Sequence, residues 1–296
     1  MGKRTKFTLF DILNYTIMIL FTLACFFPFY YLFINTISNN DLSSNGLILF
    51  YPKGIHFSNY ANVFQIPGIA FATFISVSRT VLGTVLTVFA SAFLGFLFTK
   101  DMMWGRRFWY RFVVITMYFS AGLIPWFLVM YNLHLTNNFL AYILPAIVSP
   151  FNVILVKTFI ESTPAALQES AMIDGAGHLR IFWQIVMPLI TPILATIAIF
   201  SAVAQWNTFF DNLFLVSNPK LFTLQFILYR YMNEATSLAQ LMKQSSGIQQ
   251  MNLAEMPTAT SIRTTVSMVV VAPILLVYPF FQRYFVKGIM LGAVKG

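Results

Sequence analysis

The residue types that most often perform catalysis or bind metals are few in this 296-residue chain and lie far apart. His56, His134 and His178 fall in three different loops, which the predicted topology puts on opposite faces of a membrane, so they cannot share a metal ion. The H-E-x-x-H, G-x-S-x-G and glycine-rich phosphate-loop patterns are absent. We therefore predict no catalytic residue, no metal site and no nucleotide site in this chain.

One polar segment, residues 169–188, lies between two long apolar runs. It reads E-S-A-M-I-D-G-A-G-H-L-R-I-F-W-Q-I-V-M-P and holds two of the nine carboxylates. Just before it, Thr163 and Pro164 suit the N-cap and first position of a short helix, because a hydroxyl can satisfy a free amide and proline has none to lose. Gly175 supplies the backbone freedom for a sharp turn. This pattern predicts a docking surface rather than a catalytic site.

The composition is that of a polytopic membrane protein: 58% hydrophobic, 17% aromatic and only 9% charged. A single cysteine, Cys25, lies in an apolar run and excludes an intrachain disulfide or a multi-cysteine metal site. Six apolar runs are long enough to cross a bilayer. They cover residues 12–34, 70–98, 108–133, 139–160, 190–216 and 262–285. We expect one transmembrane domain over residues 1–296, and the first run is too long and aromatic for a signal peptide.

The basic residues predict the orientation. With the N-terminus inside, the internal segments hold twelve of the 18 Lys and Arg residues and the external segments hold five. This excess predicts that both termini and the internal loop 161–189 are cytoplasmic. The net charge of +9 is therefore mostly a topology signal, since no single basic patch indicates nucleic acid as a partner.

Two external segments, about 38–69 and 217–261, are long enough to carry function. The second has apolar residues at helical spacing, which predicts one amphipathic helix at the outer surface. Those residues are Leu224, Ile227, Leu228 and Tyr231. The segments either form a platform for an extracytoplasmic binding protein or pack as a lid on the chain's own spans.

Arg79 is a basic residue inside the second apolar run, where a charged group would be costly. The eighteen uncharged residues 81–98 that follow it give about 27 Å of helix, enough to cross most of the hydrocarbon core. We therefore expect Arg79 at the outer interface with its guanidinium in water.

Amide, carboxylate and aromatic side chains concentrate in the fifth run and recur in the third and fourth. We predict that they line a substrate path, because sugar hydroxyls need hydrogen-bond partners while the C–H face of a sugar stacks on aromatic rings. The alternative is hydrogen bonding between helices with interfacial aromatics. The residues are Gln205, Trp206, Asn207, Phe209 and Asp211, with Tyr118, Trp126 and Asn152.

Segment 169–188 resembles the cytoplasmic coupling loop of ATP-binding-cassette (ABC) importer permeases. That pattern is Glu-Ala-Ala, three residues, Gly, nine residues, Ile, one residue and Leu-Pro. The matching positions are Glu169, Ala171, Gly175, Ile185 and Pro188, whereas Ser170 and Met187 depart from the pattern conservatively. The alternative is an ordinary internal loop that matches five positions by chance.

The resemblance extends over nearly the whole chain, to sugar-importing permeases of the maltose type. It rests on A-G-L-I-P-W from Ala121, L-T-N-N-F-L-A-Y-I-L-P from Leu135, W-N-T-F-F-D from Trp206 and the ending F-Q-R-Y-F-V-K-G-I-M-L-G-A-V-K-G. The ending resembles the shorter, six-span subunit. Within the family, the chain is most similar to the branch that imports oligosaccharides derived from complex polysaccharides.

The resemblance implies an all-α type I ABC importer permease fold in a bacterial cytoplasmic membrane. It also implies a second homologous permease, two ATPase subunits that bind ATP and Mg²⁺, and an extracytoplasmic sugar-binding protein. The residues that would contact an ATPase are Glu169, Ser170, Ala171, Asp174, Gly175 and Pro188, with Gly292, Lys295 and Gly296 in the tail.

Two other classes of function compete with this interpretation. A secondary transporter or channel for small polar solutes would be expected to have intramembrane ionisable groups or inverted repeats, and neither is evident in the sequence. A membrane-embedded enzyme would need a cluster of carboxylates or histidines, which this chain lacks.

Overall fold

A computed structural model describes residues 8–245 and 258–293. Throughout these residues the regular secondary structure is helical, with no strand, so the predicted all-α class is confirmed. The chain divides into two compact units. One comprises Met1–Ile66 with Arg230–Val271, and the other comprises Pro67–Tyr229 with Ala272–Gly296.

The described helices are numbered in chain order. Before the internal loop they are α1 (Leu9–Thr36), α2 (Asn40–Ser44), α3 (Ser58–Phe64), α4 (Ile69–Leu97), α5 (Arg106–Ile115), α6 (Leu123–Asn132) and α7 (Pro150–Glu161). From the loop onward they are α8 (Ala166–Ile173), α9 (His178–Ile181), α10 (Met187–Leu189), α11 (Thr191–Asn207), α12 (Phe210–Leu215), α13 (Leu224–Ser245) and α14 (Ala259–Ala293). Short 3₁₀ turns cover Phe139–Tyr142, Leu144–Ala146 and Pro219–Leu221, and one π turn covers Phe182–Val186.

Three described helices are long and apolar enough to cross a membrane: α1, α4 and the first part of α14, Ala259–Leu276. Two bent pairs could each form one more span. Phe139–Ala146 meets α7 at 43°, and His178–Leu189 meets α11 at 78°. The predicted third run, 108–133, is divided between α5 and α6, with residues 116–122 between them. The count of six crossings remains a prediction.

The predicted external segments contain short, ordered helices. In the first unit, α2 and α3 are joined by a buried reciprocal pair, in which each amide of Asn40 and Asn59 donates to the other at 3.1 and 2.8 Å. Asn59 also donates to the carbonyl of Thr36 at the end of α1. Further along the chain, the predicted amphipathic helix is confirmed as α13, whose Leu224 and Ile227 are buried.

The core of the second unit lies where α4, α7, the π turn and α11 meet. Its most buried side chains include Phe96, Val156 and Phe182. Gly95 allows α7 to approach α4 closely, because a Cβ there would lie 2.7 Å from Val156 Cγ1 and 2.9 Å from Val156 Cβ. Small residues at helix contacts are the usual route to close packing in membrane proteins.

Gly95→Ala therefore tests this packing. Alanine ordinarily stabilises a helix interior relative to glycine, but here the added methyl overlaps a neighbouring helix, so we expect destabilisation of about 1–3 kcal/mol. The measurement is the thermal unfolding midpoint of the detergent-solubilised protein. Gly177→Ala is the control, since nothing lies within 4 Å of a Cβ at that position. A midpoint for Gly95→Ala at or above that of the parent protein would contradict the packing argument.

Candidate functional site

A cavity of about 920 Å³, with a mixed polar and apolar lining, lies in the second unit. It is bounded by α4, α6, the Phe139–Tyr142 turn, α7, α11 and α12. Its lining combines hydroxyl, amide and aromatic groups with apolar side chains. Six of the lining residues are Ser120, Trp126, Tyr142, Asn152, Gln205 and Phe210.

Arg79 lines this cavity, with only 3% of its side chain exposed. Its Nε donates to Gln205 Oε1 at 2.8 Å, its Nη1 donates to the carbonyl oxygen of Thr208 at 3.1 Å, and its Nη2 is ion-paired with Asp211 Oδ2. The expectation that the guanidinium lies in water was therefore wrong. A counter-charge and acceptors from another span satisfy it inside the protein.

The break between α11 and α12 explains why these acceptors are available. α11 ends at Asn207, so the carbonyl of Thr208 has left the helical hydrogen-bonding pattern and is free to accept from a side chain. Asp211 then lies in the first turn of α12, and its side chain is 15% exposed. One interrupted span thus provides both a carbonyl and a carboxylate to Arg79.

Tyr142 connects this ion pair to the rest of the unit. Its ring centroid lies 4.8 Å from the guanidinium carbon of Arg79, a cation–π contact. Its hydroxyl donates to the carbonyl of Leu221 at 2.7 Å and accepts from Asn212 Nδ2 at 2.7 Å. Asn212 in turn accepts from the backbone amide and hydroxyl of Thr223, at 3.1 and 2.7 Å. The network therefore spans α4, α12 and the chain leading into α13.

Gly83 makes room for this arrangement. A Cβ at Gly83 would lie 2.6 Å from Gln205 Nε2 and 2.8 Å from Gln205 Cδ. The amide of Gln205 can therefore occupy the space beside α4 and present its oxygen to Arg79. The side chain of Gln205 is 5% exposed, so the hydrogen bond is buried.

Half of the predicted path residues line the cavity. They are Trp126, Asn152, Gln205 and Asp211. The others, Tyr118, Trp206, Asn207 and Phe209, are not among its lining residues. Phe209 stacks on Tyr229 with centroids 4.7 Å apart, and Tyr118 is 80% exposed. That any of these residues contacts substrate remains a prediction.

Sequence reasoning missed Arg79, Tyr142 and Thr208 as members of the cavity network. One signal was present: Arg79 is a basic residue inside one apolar run, and Asp211 is a carboxylate inside another. Treating the two charges as mutual partners would have predicted their contact.

The predicted coupling loop contains a second candidate site. Helix α8 ends in a Schellman motif, in which Ala176 N–H donates to the carbonyl of Ala171 and Gly175 N–H donates to that of Met172. Gly175 has φ +78°, so the prediction of a sharp turn there is confirmed. Ala171 and Ala176 both pack against the core of the second unit.

The predicted start of this helix was wrong. Its N-cap is Ala165, without a side-chain cap, rather than Thr163. The hydroxyl of Thr163 instead donates to the carbonyl of Ile160 at 2.6 Å, because α7 ends there and leaves carbonyls without helical partners.

The two halves of the loop differ in burial. In the first half, Glu169, Ser170 and Asp174 are exposed, and Ile173 is 86% exposed. In the second half, Ile181 and Phe182 are fully buried, and the chain continues through the π turn to an exposed Pro188. The loop thus combines an anchored half with a half that presents polar and apolar groups to the outside.

A residue just beyond the C-terminal end of α4 contacts this loop. Lys100 Nζ donates to Gln168 Oε1, and partial burial lowers the pKa of Lys100. Gly292 lies in α14, while Lys295 and Gly296 are outside the described residues. Across the described residues, no group of three His, Cys, Asp or Glu side chains could hold a metal ion.

Apolar helices of membrane-spanning length, a cavity with a mixed lining among their neighbours and a separate exposed loop fit the class of membrane transport proteins. A family comparison specifies which kind. The chain belongs to the family "Binding-protein-dependent transport system inner membrane component", which matches residues 88–291. Members are permeases of ABC importers and are not enzymes, so the resemblance inferred from the sequence is confirmed.

Individual relatives cover almost the whole chain. It is 34% identical to the "Polygalacturonan/rhamnogalacturonan transport system permease protein YtcP" of Bacillus subtilis (strain 168), over 98% of this chain and 100% of that protein. It is 30% identical to the "Arabinooligosaccharides transport system permease protein AraQ" of Halalkalibacterium halodurans, over 87% of this chain and 86% of that protein. A chain in the crystal structure of a bacterial ABC transporter involved in the import of the acidic polysaccharide alginate superposes with a TM-score of 0.81, at 27% identity, covering 95% and 100% of the two chains.

The Arg79–Asp211 pair leads to a stability prediction. Arg79→Gln leaves a buried carboxylate without its cation, and Asp211→Asn leaves a buried cation without its anion, so each should cost about 3–5 kcal/mol. In the double variant neither charge remains, and we expect its loss to be clearly smaller than the sum of the two. The measurement is a double-mutant cycle on the unfolding midpoint in detergent. Additive losses would show that the two side chains do not stabilise one another.

Proposed function

We propose that this chain is the permease subunit of an ATP-driven oligosaccharide importer, with α8 docking on a cytoplasmic ATPase. The observation that carries the proposal is the combination of an exposed α8 with a cavity of mixed lining elsewhere in the same unit. The importer family supplies the reason to connect the two features. In such an importer the ATPase would act on α8, and the cargo would pass through the cavity.

The surface of α8 suits a protein partner. Its exposed residues include the apolar Leu167, Met172 and Ile173 beside the carboxylate of Glu169. Apolar side chains outside the membrane gain free energy when another protein covers them. Glu169 would meet a basic group of the ATPase, and small Ala171 and open Gly175 would let the partner approach closely.

The cavity suits a sugar as cargo. Hydroxyl and amide groups such as Ser120 and Asn152 offer hydrogen bonds, and Trp126 offers an aromatic face. The similar proteins are named for polygalacturonan, rhamnogalacturonan, arabinooligosaccharides and alginate, all of them saccharides. We infer that oligosaccharides derived from complex polysaccharides pass along this cavity.

The assembly would contain a second, homologous permease, two ATPase subunits carrying ATP and Mg²⁺, and an extracytoplasmic sugar-binding protein. The excess of basic residues in internal segments supports cytoplasmic termini and a cytoplasmic α8. The ordered segments around α2, α3 and α13 would face the binding protein. The tail with Gly292, Lys295 and Gly296 would reach toward the ATPase interface.

The buried Arg79–Asp211 pair bears on the alternative of a secondary transporter or channel. From the sequence, no ionisable group suited to ion coupling was evident, whereas the structure buries Arg79 and Asp211 against each other. Ion coupling would need one of the two groups to change charge during transport. Here each is neutralised by the other, and the family match favours ATP as the energy source.

The coupling surface predicts the effect of two substitutions. Glu169→Lys places a like charge against a basic partner, and Gly175→Val forces a branched side chain into φ +78°. We expect the protein to remain in the membrane while uptake of labelled oligosaccharide falls by more than about tenfold. Asp101→Lys is the control, because Asp101 is 92% exposed and lies outside the loop. Normal uptake in both loop variants, or failure of the co-expressed chain to capture an ATPase, would refute the proposal.

The cavity predicts a different phenotype. Trp126→Ala removes an aromatic face from the lining, so we expect the oligosaccharide concentration for half-maximal uptake to rise about threefold to tenfold. Capture of the ATPase should be unchanged, because Trp126 is remote from α8 in sequence and lines the cavity. Tyr118→Ala is the matched control, since this aromatic residue does not line the cavity. Equal effects of the two substitutions would argue against the cavity as the path.

A further inference from the structure

Helix α8 has a firm attachment at only one end. There the Schellman motif around Gly175 joins it to the buried half of the loop, and Ala171 packs on the core. A Cβ at Gly175 would have no heavy atom within 4 Å, so nothing crowds this turn. A short helix held at one end can change its direction about that point. A second contact is needed to fix its orientation.

Lys100 supplies that second contact. Its Nζ donates to Gln168 Oε1 in the first half of α8. The same ammonium lies 4.6 Å from the ring centroid of Phe96, a residue that is 1% exposed in the core. The backbone amide of Lys100 donates to the carbonyl of Leu97, the last residue of α4. Lys100 therefore connects the two helices: it contacts Leu97 and Phe96 of α4, and it donates a hydrogen bond to Gln168 of α8.

Helix α4 also reaches the cavity. From Leu97 it runs eighteen residues back to Arg79, about 27 Å at roughly 1.5 Å per residue. Close contacts along this length involve Gly95 with Val156 and Gly83 with Gln205. Close-packed interiors have low compressibility and transmit strain, so this packing gives a route by which displacement at one end of α4 can reach the other.

We propose that Lys100 is a positioning residue that fixes α8 to α4, so that movement of an ATPase-docked α8 reaches the Arg79–Asp211 end of the cavity. The inference rests on the proposed function, because it presupposes a docked ATPase. It assigns a role to a residue outside the Glu169–Pro188 motif. It also separates two properties of α8. The exposed face of α8 determines whether the ATPase docks, and the contact with Lys100 determines whether movement of α8 is passed to α4.

Lys157 provides a matched control. It too is a lysine at the same end of the unit, its Nζ donates to a side-chain oxygen, Glu161 Oε1, at 2.6 Å, and it lies 4.7 Å from the ring centroid of Tyr110. Its hydrogen bond, however, stays within α7, four residues along the same helix. Lys157→Met therefore removes a similar set of contacts without disconnecting α8 from α4.

The experiment measures movement at the cavity without requiring the cargo. In a Cys25→Ser background, Ser120→Cys puts the chain's single thiol in the cavity lining. The full complex with its ATPase and second permease is reconstituted in lipid nanodiscs. The rate of labelling by a water-soluble maleimide is then measured with and without ATP plus vanadate, which traps a nucleotide-bound ATPase. Vanadate trapping and the amount of co-purified ATPase are recorded in parallel.

We expect Lys100→Met to reduce the nucleotide-dependent change in labelling rate roughly threefold to tenfold. ATPase capture and vanadate trapping should stay at the reference level. The nucleotide-dependent change in labelling rate should persist in Lys100→Arg, because arginine can still donate to Gln168. It should also persist in Lys157→Met. This selective loss would support the role of Lys100, since a general destabilisation would lower ATPase capture as well.

Several results would overturn the inference. One is a nucleotide-dependent change in labelling rate that is undiminished in Lys100→Met. Another is a reduction of that change in Lys157→Met as large as the reduction in Lys100→Met. A third is loss of ATPase capture in Lys100→Met, which would make Lys100 a docking residue. A captured ATPase with no nucleotide-dependent change in the reference complex would also refute it, because Lys100 would then have no movement to transmit. Failure of the proposed function looks different: the reference complex captures no ATPase at all.

Discussion

The cost of burying a guanidinium in an apolar environment is the constraint that organises the second unit. An isolated cation cannot remain there, so Arg79 needs a counter-charge and hydrogen-bond acceptors from elsewhere in the chain. A regular helix has few acceptors to offer, because its carbonyls are already bonded. The break between α11 and α12 solves this problem by releasing the carbonyl of Thr208 and positioning Asp211.

Small residues along α4 let its neighbours approach closely. Arg79 can reach its acceptors only if α11 lies against α4, and Gly83 gives Gln205 the necessary space. Further along, Gly95 does the same for α7. The hydroxyl of Ser76 accepts from Leu224 N–H at 2.8 Å and so attaches the start of α13 to this helix. Of the elements around the cavity, α4 contacts α7, α11, the Phe139–Tyr142 turn and, through Arg79, α12.

The sequence was sufficient for the features that depend on composition or on a local pattern. The all-helical membrane class follows from hydrophobicity, and the turn at Gly175 follows from a residue that tolerates positive φ. It was insufficient where the outcome depends on a partner distant in the chain. We expected Arg79 at the membrane interface because we considered only its own helix. Its ion-pair partner, Asp211, lies 132 residues away in the sequence.

The path residues illustrate the same limit on a smaller scale. Gln205, Trp206 and Asn207 are adjacent in the sequence, but successive helical residues point about 100° apart, so a cluster in the sequence is not a cluster in space. Gln205 shares its face with Ser201 and Thr208, at helical spacing, and these three line the cavity. Selecting polar residues three and four positions apart, instead of adjacent ones, would have identified the helix face that lines the cavity.

If the cavity is the oligosaccharide path proposed above, the ion pair also affects how it treats its cargo. If Arg79 and Asp211 were separated, either one could hold an oligosaccharide by a charged hydrogen bond and delay its release. Paired, they use their strongest interactions on each other and leave hydroxyls, amides and aromatic rings to face the lumen. Contacts of that kind are individually weak and readily exchanged. A permease needs such a surface, because its cargo must enter the path and also leave it.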